Sequence, residues 1–174
     1  MTFDPAAEYL AITIEELRKL ESLAKRAIEQ VSGEERLAPL DPDSNSIAII
    51  MKHMAGNMRS RWTDFLETDG EKPDRNRDME FELGPADSLP EIENRWEAGW
   101  DLLFRTLESL RPEDLGRLVT IRSESMTVLA AVQRQVAHYA DHVGQIVLIA
   151  KHHAGPRWKT LSVPRRKAGS PPSG

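Results

Sequence analysis

The sequence predicts an all-α protein, a four-helix bundle with a long charged connection between its second and third helices. Four stretches place apolar residues at three- or four-residue intervals, the repeat of one face of an α-helix. The chain is rich in Glu, Arg, Leu and Ala and only 6% aromatic, a balance that favours helices over strands. Capping residues and helix breakers stand where those stretches would begin and end. At 174 residues and 40% hydrophobic, the chain is long enough for one domain with its own core.

The first helix is expected to start after Asp4, with Pro5 as its first residue, and to carry Leu10, Ile14, Leu17, Ala24, Ile28 and Val31 until Gly33 ends it. "LAPLDPDSNS" reads as a loop. A second helix begins near Ser46, with Ile47, Ile50, Met51, Met54, Met58 and Phe65 on one side. "TDGEKPDRNRDMEFELGPADS" is the charged connection, longer than packed helices usually need and of a kind that often is functional or wraps the body. Ser88 with Glu91 suggests a capping box, and the third helix follows with Ile92, Trp96, Trp100, Leu103, Leu107 and Leu110 before Arg111-Pro112 stops it. "LVTIRSES" alternates like a strand fragment. The fourth helix runs from Ser125 or Thr127 to Ala154. The domain is therefore set at residues 1–155, and 156–174 is a tail whose Trp158, Leu161 and Val163 suit packing on the body and whose end reads as disordered.

Composition narrows the function classes. A formal charge of −5 argues against a broad nucleic-acid or anionic-membrane footprint. The absence of cysteine removes disulfides, thiolate metal sites and a cysteine nucleophile together, so a metal would rest on His, Asp, Glu or water. Charges interrupt every apolar run before it could span a bilayer, and the N-terminus has neither a basic leader nor a continuous apolar core, so a cytoplasmic location is expected. There is no Gly-rich phosphate loop, no carboxylate pair suited to acid and base work, and no assembled Ser-His-Asp arrangement.

The histidines carry the remaining signal. At about 100° per residue, His138 and His142 share a stripe with Ala131, Gln135, Gln145 and Ile149 along one margin of the fourth helix's apolar face, opposite a solvent side of Gln133, Arg134, Asp141, Gly144 and Lys151. His53 lies beside the apolar row of the second helix, with Asn57 one turn on. If both apolar stripes face one core, three imidazoles meet across a seam, a donor set suited to zinc, nickel or another late divalent metal. The competing reading is three ordinary, partly buried histidines. His-x-x-x-His is not the zincin motif, because Tyr139 stands where that motif needs Glu. His152 and His153 point about 100° apart and read as favourable partners of the helix C-terminus.

The segments "HMAGN", "SRWTDF", "DGEKP" and "RDMEFE" on the second helix and its loop, "HYADHVGQIVLIAKHH" on the fourth, and the closing "WKTLSVPR" resemble an uncharacterised bacterial branch of the DinB-like superfamily, over nearly the whole chain. The resemblance implies a four-helix bundle, often a homodimer, with a divalent metal held by His53, His138 and His142. Characterised members of that superfamily include S-transferases and isomerases that use low-molecular-weight thiols, so a metal-dependent thiol S-transferase acting on a small molecule is one expected function. A non-catalytic metal-binding or stress-associated dimer is the alternative, and a metal-free helical interaction module is a third. Gln135, Gln145, Asn57 and Arg61 are candidates to orient the ligands or touch substrate, against a simpler role as seam or surface polar residues. Arg59, Arg61, Arg75, Arg77, Asp78 and Glu80 offer either an anion site or mutual ion pairs that pin the loop to the bundle. Trp96, Trp100 and Tyr139 read as core or interface residues, and "PRRK" as a solvated basic tail.

Overall fold

Every long helix begins where a short polar side chain takes up an otherwise orphaned amide. Asp4 Oδ1 accepts from the amides of Ala6 and Ala7 at 3.0 and 3.3 Å; Ser46 accepts from Ile49, Ser88 from Glu91 and Thr127 from Ala130. In the computed structural model, which describes residues 3–163, these caps open α1 (Pro5–Ile28), α3 (Ile47–Trp62), α4 (Leu89–Ser109) and α5 (Val128–Ala154). A short helix, α2 (Gly33–Leu37), lies between the first two. The fold is thus mostly helical, with five α-helices among the described residues.

Several boundaries differ from the sequence expectation for local reasons. Gly33 does not end α1; the chain leaves the helix at Ile28, and Ser32 with Glu35 forms a capping box with both arms made, which starts α2. Phe65 is buried but lies beyond α3, which stops at Trp62 just before Asp64 takes a positive φ of 47°. "LVTIRSES" is not a lone fragment: β1 (Leu118–Ile121) and β2 (Glu124–Thr127) pair antiparallel, Val119 opposite Met126. The "PRRK" segment and the chain end lie outside the described residues, whereas Trp158 and Leu161 pack against the core and Val163 is exposed.

The helices associate mainly as two pairs, α3 with α4 and α1 with α5, joined by narrower α3–α5 and α1–α4 seams. Gly99 permits the tight α3–α4 approach, since a Cβ there would stand 2.9 Å from Met58 Cε. Leu17, Ile47, Met54, Met58, Trp100, Leu103, Tyr139, Val143 and Ile146 fill the centre. Trp96 and Trp100 both belong to this core, their rings edge to face.

The charged connection between α3 and α4 is folded down along α3, so that 12 of the 16 residues of that helix are buried, far more than one apolar stripe would bury. Lys52 holds one part of it: its Nζ donates to the Met79 and Glu82 carbonyls and to Asp87 Oδ2, each at 2.7 Å. Asp87 also accepts from Arg95 of α4 and from the Gly84 amide. The other part is tied to the hairpin, with Asp69 accepting from the amides of Arg122 and Ser123 and the Gly70 amide donating to the Thr120 carbonyl. A 3-10 turn, Asp78–Phe81, sits between these anchors.

Burial works against an ionised Asp87, but Lys52, the Gly84 amide and Arg95 outweigh it and hold the carboxyl down at about 2. Its charge therefore stabilises the fold above the ordinary carboxylate range, and that stability is lost as pH falls through about 2. Asp87→Asn is expected to lower unfolding free energy by about 1–2 kcal/mol at neutral pH. The gap to wild type should close as pH drops below 4 toward 2, read by urea denaturation across pH.

Candidate metal centre

His53, His138 and His142 meet across the α3–α5 seam. Spacing of four residues puts His138 and His142 on one side of α5, and burial of α3 beneath the charged loop brings His53 to them. His53 is 3% exposed, so it is enclosed rather than at a helix margin. His138 Nε2 lies 3.3 Å from His53 Nε2 and 3.2 Å from His142 Nε2, and the three residues form a group whose donor nitrogens lie within 4.8 Å of one another.

The partners of the outer ring nitrogens set the tautomers. His53 Nδ1 faces Glu80 Oε2 at 2.9 Å, and His142 Nδ1 faces Gln145 Oε1 at 3.4 Å. Both partners are acceptors, so each Nδ1 carries the proton and each Nε2 turns a lone pair inward. Burial first, then the neighbouring His142 and His53, push His138 down to about 3, and burial likewise lowers His142. No partner fixes the tautomer of His138: with its proton on Nε2 it donates to a neighbouring imidazole, and with its proton on Nδ1 its Nε2 lone pair joins the other two at a point where a cation would sit. Two nitrogens bound at about 2.0–2.1 Å to one tetrahedral ion stand about 3.3 Å apart, which matches the two separations measured from His138 Nε2. The donor set thus fits a divalent metal; the buried Nδ1 of His138 has no hydrogen-bond partner.

Glu80 was legible in the sequence only as one charge of the loop, yet it is the residue that orients His53. Its 3-10 turn brings it beneath α3, where Arg75 donates to both carboxylate oxygens at 2.8 Å. Burial pushes the Glu80 carboxyl up, but the bonds from Arg75 and His53 more than compensate and leave it below the usual carboxylate range. Phe81 stacks on the His53 ring with centroids 4.6 Å apart. The one available signal was an acid flanked by Met79 and Phe81, an apolar setting unusual within a charged loop.

The other sequence candidates divide. Gln145 reaches His142 as described. Asn57 does not orient His53; its Oδ1 accepts from Tyr139 Oη at 3.0 Å, and Tyr139 Oη accepts from Trp62 Nε1 at 2.9 Å, a buried chain beside the triad. Burial raises the Tyr139 pKa well above its ordinary value, so this hydroxyl is a fixed donor and not an acid or base. Gln135 is buried with its side-chain oxygen unpartnered, and Arg61 is buried against the Gly70 carbonyl and Glu71. Arg59 instead pairs with Asp74 at the surface. His153 Nε2 meets the Ala38 carbonyl, 3.0 Å away, and His152 is exposed, so neither joins the triad.

A cavity of about 320 Å³ opens over the three histidines, walled by Asn57, Gln135, Phe81 and five arginines. Arg134, expected only on the solvent side of α5, is exposed but stands one turn before His138 and lines this cavity.

A Cβ at Gly56 would lie 2.1 Å from Glu80 Oε1, so only glycine lets the carboxylate pass α3 to His53. Gly56→Ala is expected to displace Glu80 and cost about 1–3 kcal/mol of stability. Imidazole ¹⁵N spectra should show His53 losing its fixed Nδ1–H tautomer while His142 keeps its own.

No curated protein and no solved structure matches the chain. The profile of a family described as a protein of unknown function, DUF1572, matches residues 4–167, and the chain with its partly buried histidine cluster belongs to that family.

Proposed function

We propose that this chain is a divalent-metal-binding, DinB-like four-helix-bundle protein that acts as a metal-dependent thiol S-transferase, with zinc or nickel held by His53, His138 and His142. The convergence of three Nε2 atoms beside a solvent-connected cavity carries the proposal. A bound ion would supply Lewis-acid chemistry, lowering the pKa of a thiol or water and polarising an acceptor.

The chain's own residues do the rest. Glu80 and Gln145 hold two imidazoles in the ligating tautomer. Phe81 covers one face of His53 and keeps water from it. With no cysteine, the chain has no thiol of its own, so the sulfur nucleophile arrives with a low-molecular-weight cosubstrate. Among the described residues no carboxylate lines the cavity, which leaves proton transfer to the cosubstrate and solvent. The DinB-like resemblance also implies a homodimer, which sedimentation would test.

Protein purified without an affinity tag is expected to carry about one ion per chain by elemental analysis, and His53→Ala, His138→Ala and His142→Ala each to carry almost none. Glu80→Gln should weaken metal affinity about 10–100-fold. The loaded protein should consume a low-molecular-weight thiol in the presence of an electrophilic acceptor, and the histidine variants should not. Metal loading that raises Tm without any such turnover would assign the ion to stability or sensing and overturn the transferase reading.

A further inference from the structure

The walls of the cavity carry a charge that the triad does not explain. Arg61, Arg75, Arg77, Arg122 and Arg134 all line it. They come from four places in the fold: the end of α3, the charged loop, the hairpin turn and α5. Three carboxylates pair with them. Glu71 is shared by Arg61, Arg75 and Arg122, Glu80 serves Arg75, and Asp78 stands 3.9 Å from Arg77. Two positive charges are in excess before any metal is counted, in a protein whose overall charge is −5.

The arginines also differ in task. Arg61 and Arg75 have side chains only 5% and 2% exposed and are committed to carboxylates and the Gly70 carbonyl. Arg77 and Arg122 have side chains about half exposed, Arg134 is exposed, and all three have donors to spare. Arg134 has no ion-pair partner among the described residues. Arg77 is steadied over the Phe81 ring, 5.1 Å from its centroid. Arg122 is held by its backbone: it and Ser123 take φ of 55° and 62°, a turn that ordinarily uses Asn or Gly. Asp69 restrains both amides, at 2.9 and 2.8 Å. Strain kept at the residue that delivers a cavity-lining guanidinium points to a use for that guanidinium.

We infer that the cavity binds a small organic anion, a carboxylate or phosphate held by Arg77, Arg122 and Arg134, so that the rest of the molecule lies over the three histidines. This deepens the metal-site reading and rests on it for the reaction, while the anion grip belongs to the arginines alone. Guanidinium groups suit both oxyanions because their paired donors match two oxygens at once. Gln135 also lines the cavity; its unpartnered side-chain oxygen is an acceptor, so it serves a donor group of the ligand and not the oxyanion.

Calorimetric titration of the full chain with succinate and with inorganic phosphate, once stripped of metal and once loaded with zinc, tests the inference. Saturable binding of at least one anion is expected in the stripped protein, and the stronger of the two identifies the oxyanion. Arg77→Gln and Arg134→Gln, both at exposed positions, should each weaken it about tenfold, and Arg111→Gln, at an exposed residue that does not line the cavity, should leave it unchanged. Binding that is equal in all three variants, or no saturation up to about 10 mM, overturns the anion site. Anion binding by protein that takes up no zinc would leave the inference standing and sink the metal reading; zinc uptake without anion binding would do the reverse.

Discussion

The contact on which the site depends is the buried carboxylate of Glu80, which accepts from His53 on one side and Arg75 on the other. A buried ion pair gains stability only where geometry and additional hydrogen bonds offset desolvation, and removing one partner strands the other at a cost of about 3–5 kcal/mol. Here the Arg75 side chain is 2% exposed, and Glu71 gives it a second carboxylate. The same carboxylate therefore fixes an imidazole tautomer on α3 and closes the charged loop over that helix. Closure of the loop and construction of the site share that one contact.

The features legible in the sequence were the local ones. Asp4, Ser46, Ser88 and Thr127 announce helix starts because capping is a matter of neighbouring residues, and the four long helices follow from their apolar repeat. His138 and His142 could be placed together for the same reason. The enclosure of His53, the reach of Glu80 and the pairing of Asn57 with Tyr139 depend on contacts 27 to 85 residues apart in the chain, which leave no periodic trace. The start of α2 at Gly33 was obscured because glycine also commonly ends a helix. The hairpin was only half visible, since its turn residues Arg122 and Ser123 lack the usual turn chemistry.

The loop's ion pairs show that two readings offered by its sequence need not compete. Arg61 and Arg75 pin the loop through Glu71 and Glu80, while Arg77 and Arg122 from the loop and hairpin keep donors facing the cavity. Net charge describes the surface as a whole; a small molecule entering this cavity meets a local field of opposite sign, concentrated by low-dielectric walls.

The place of the histidines has a mechanical consequence. The helices hold together chiefly as α3 with α4 and α1 with α5, and the triad lies on the narrower seam between these halves. An ion bound by His53 and His138 would be a rivet between the halves, closing a loop across 85 positions of chain that contains no cysteine to form a covalent one. Metal supply would then set how firmly the two halves stay shut as well as what the cavity can do.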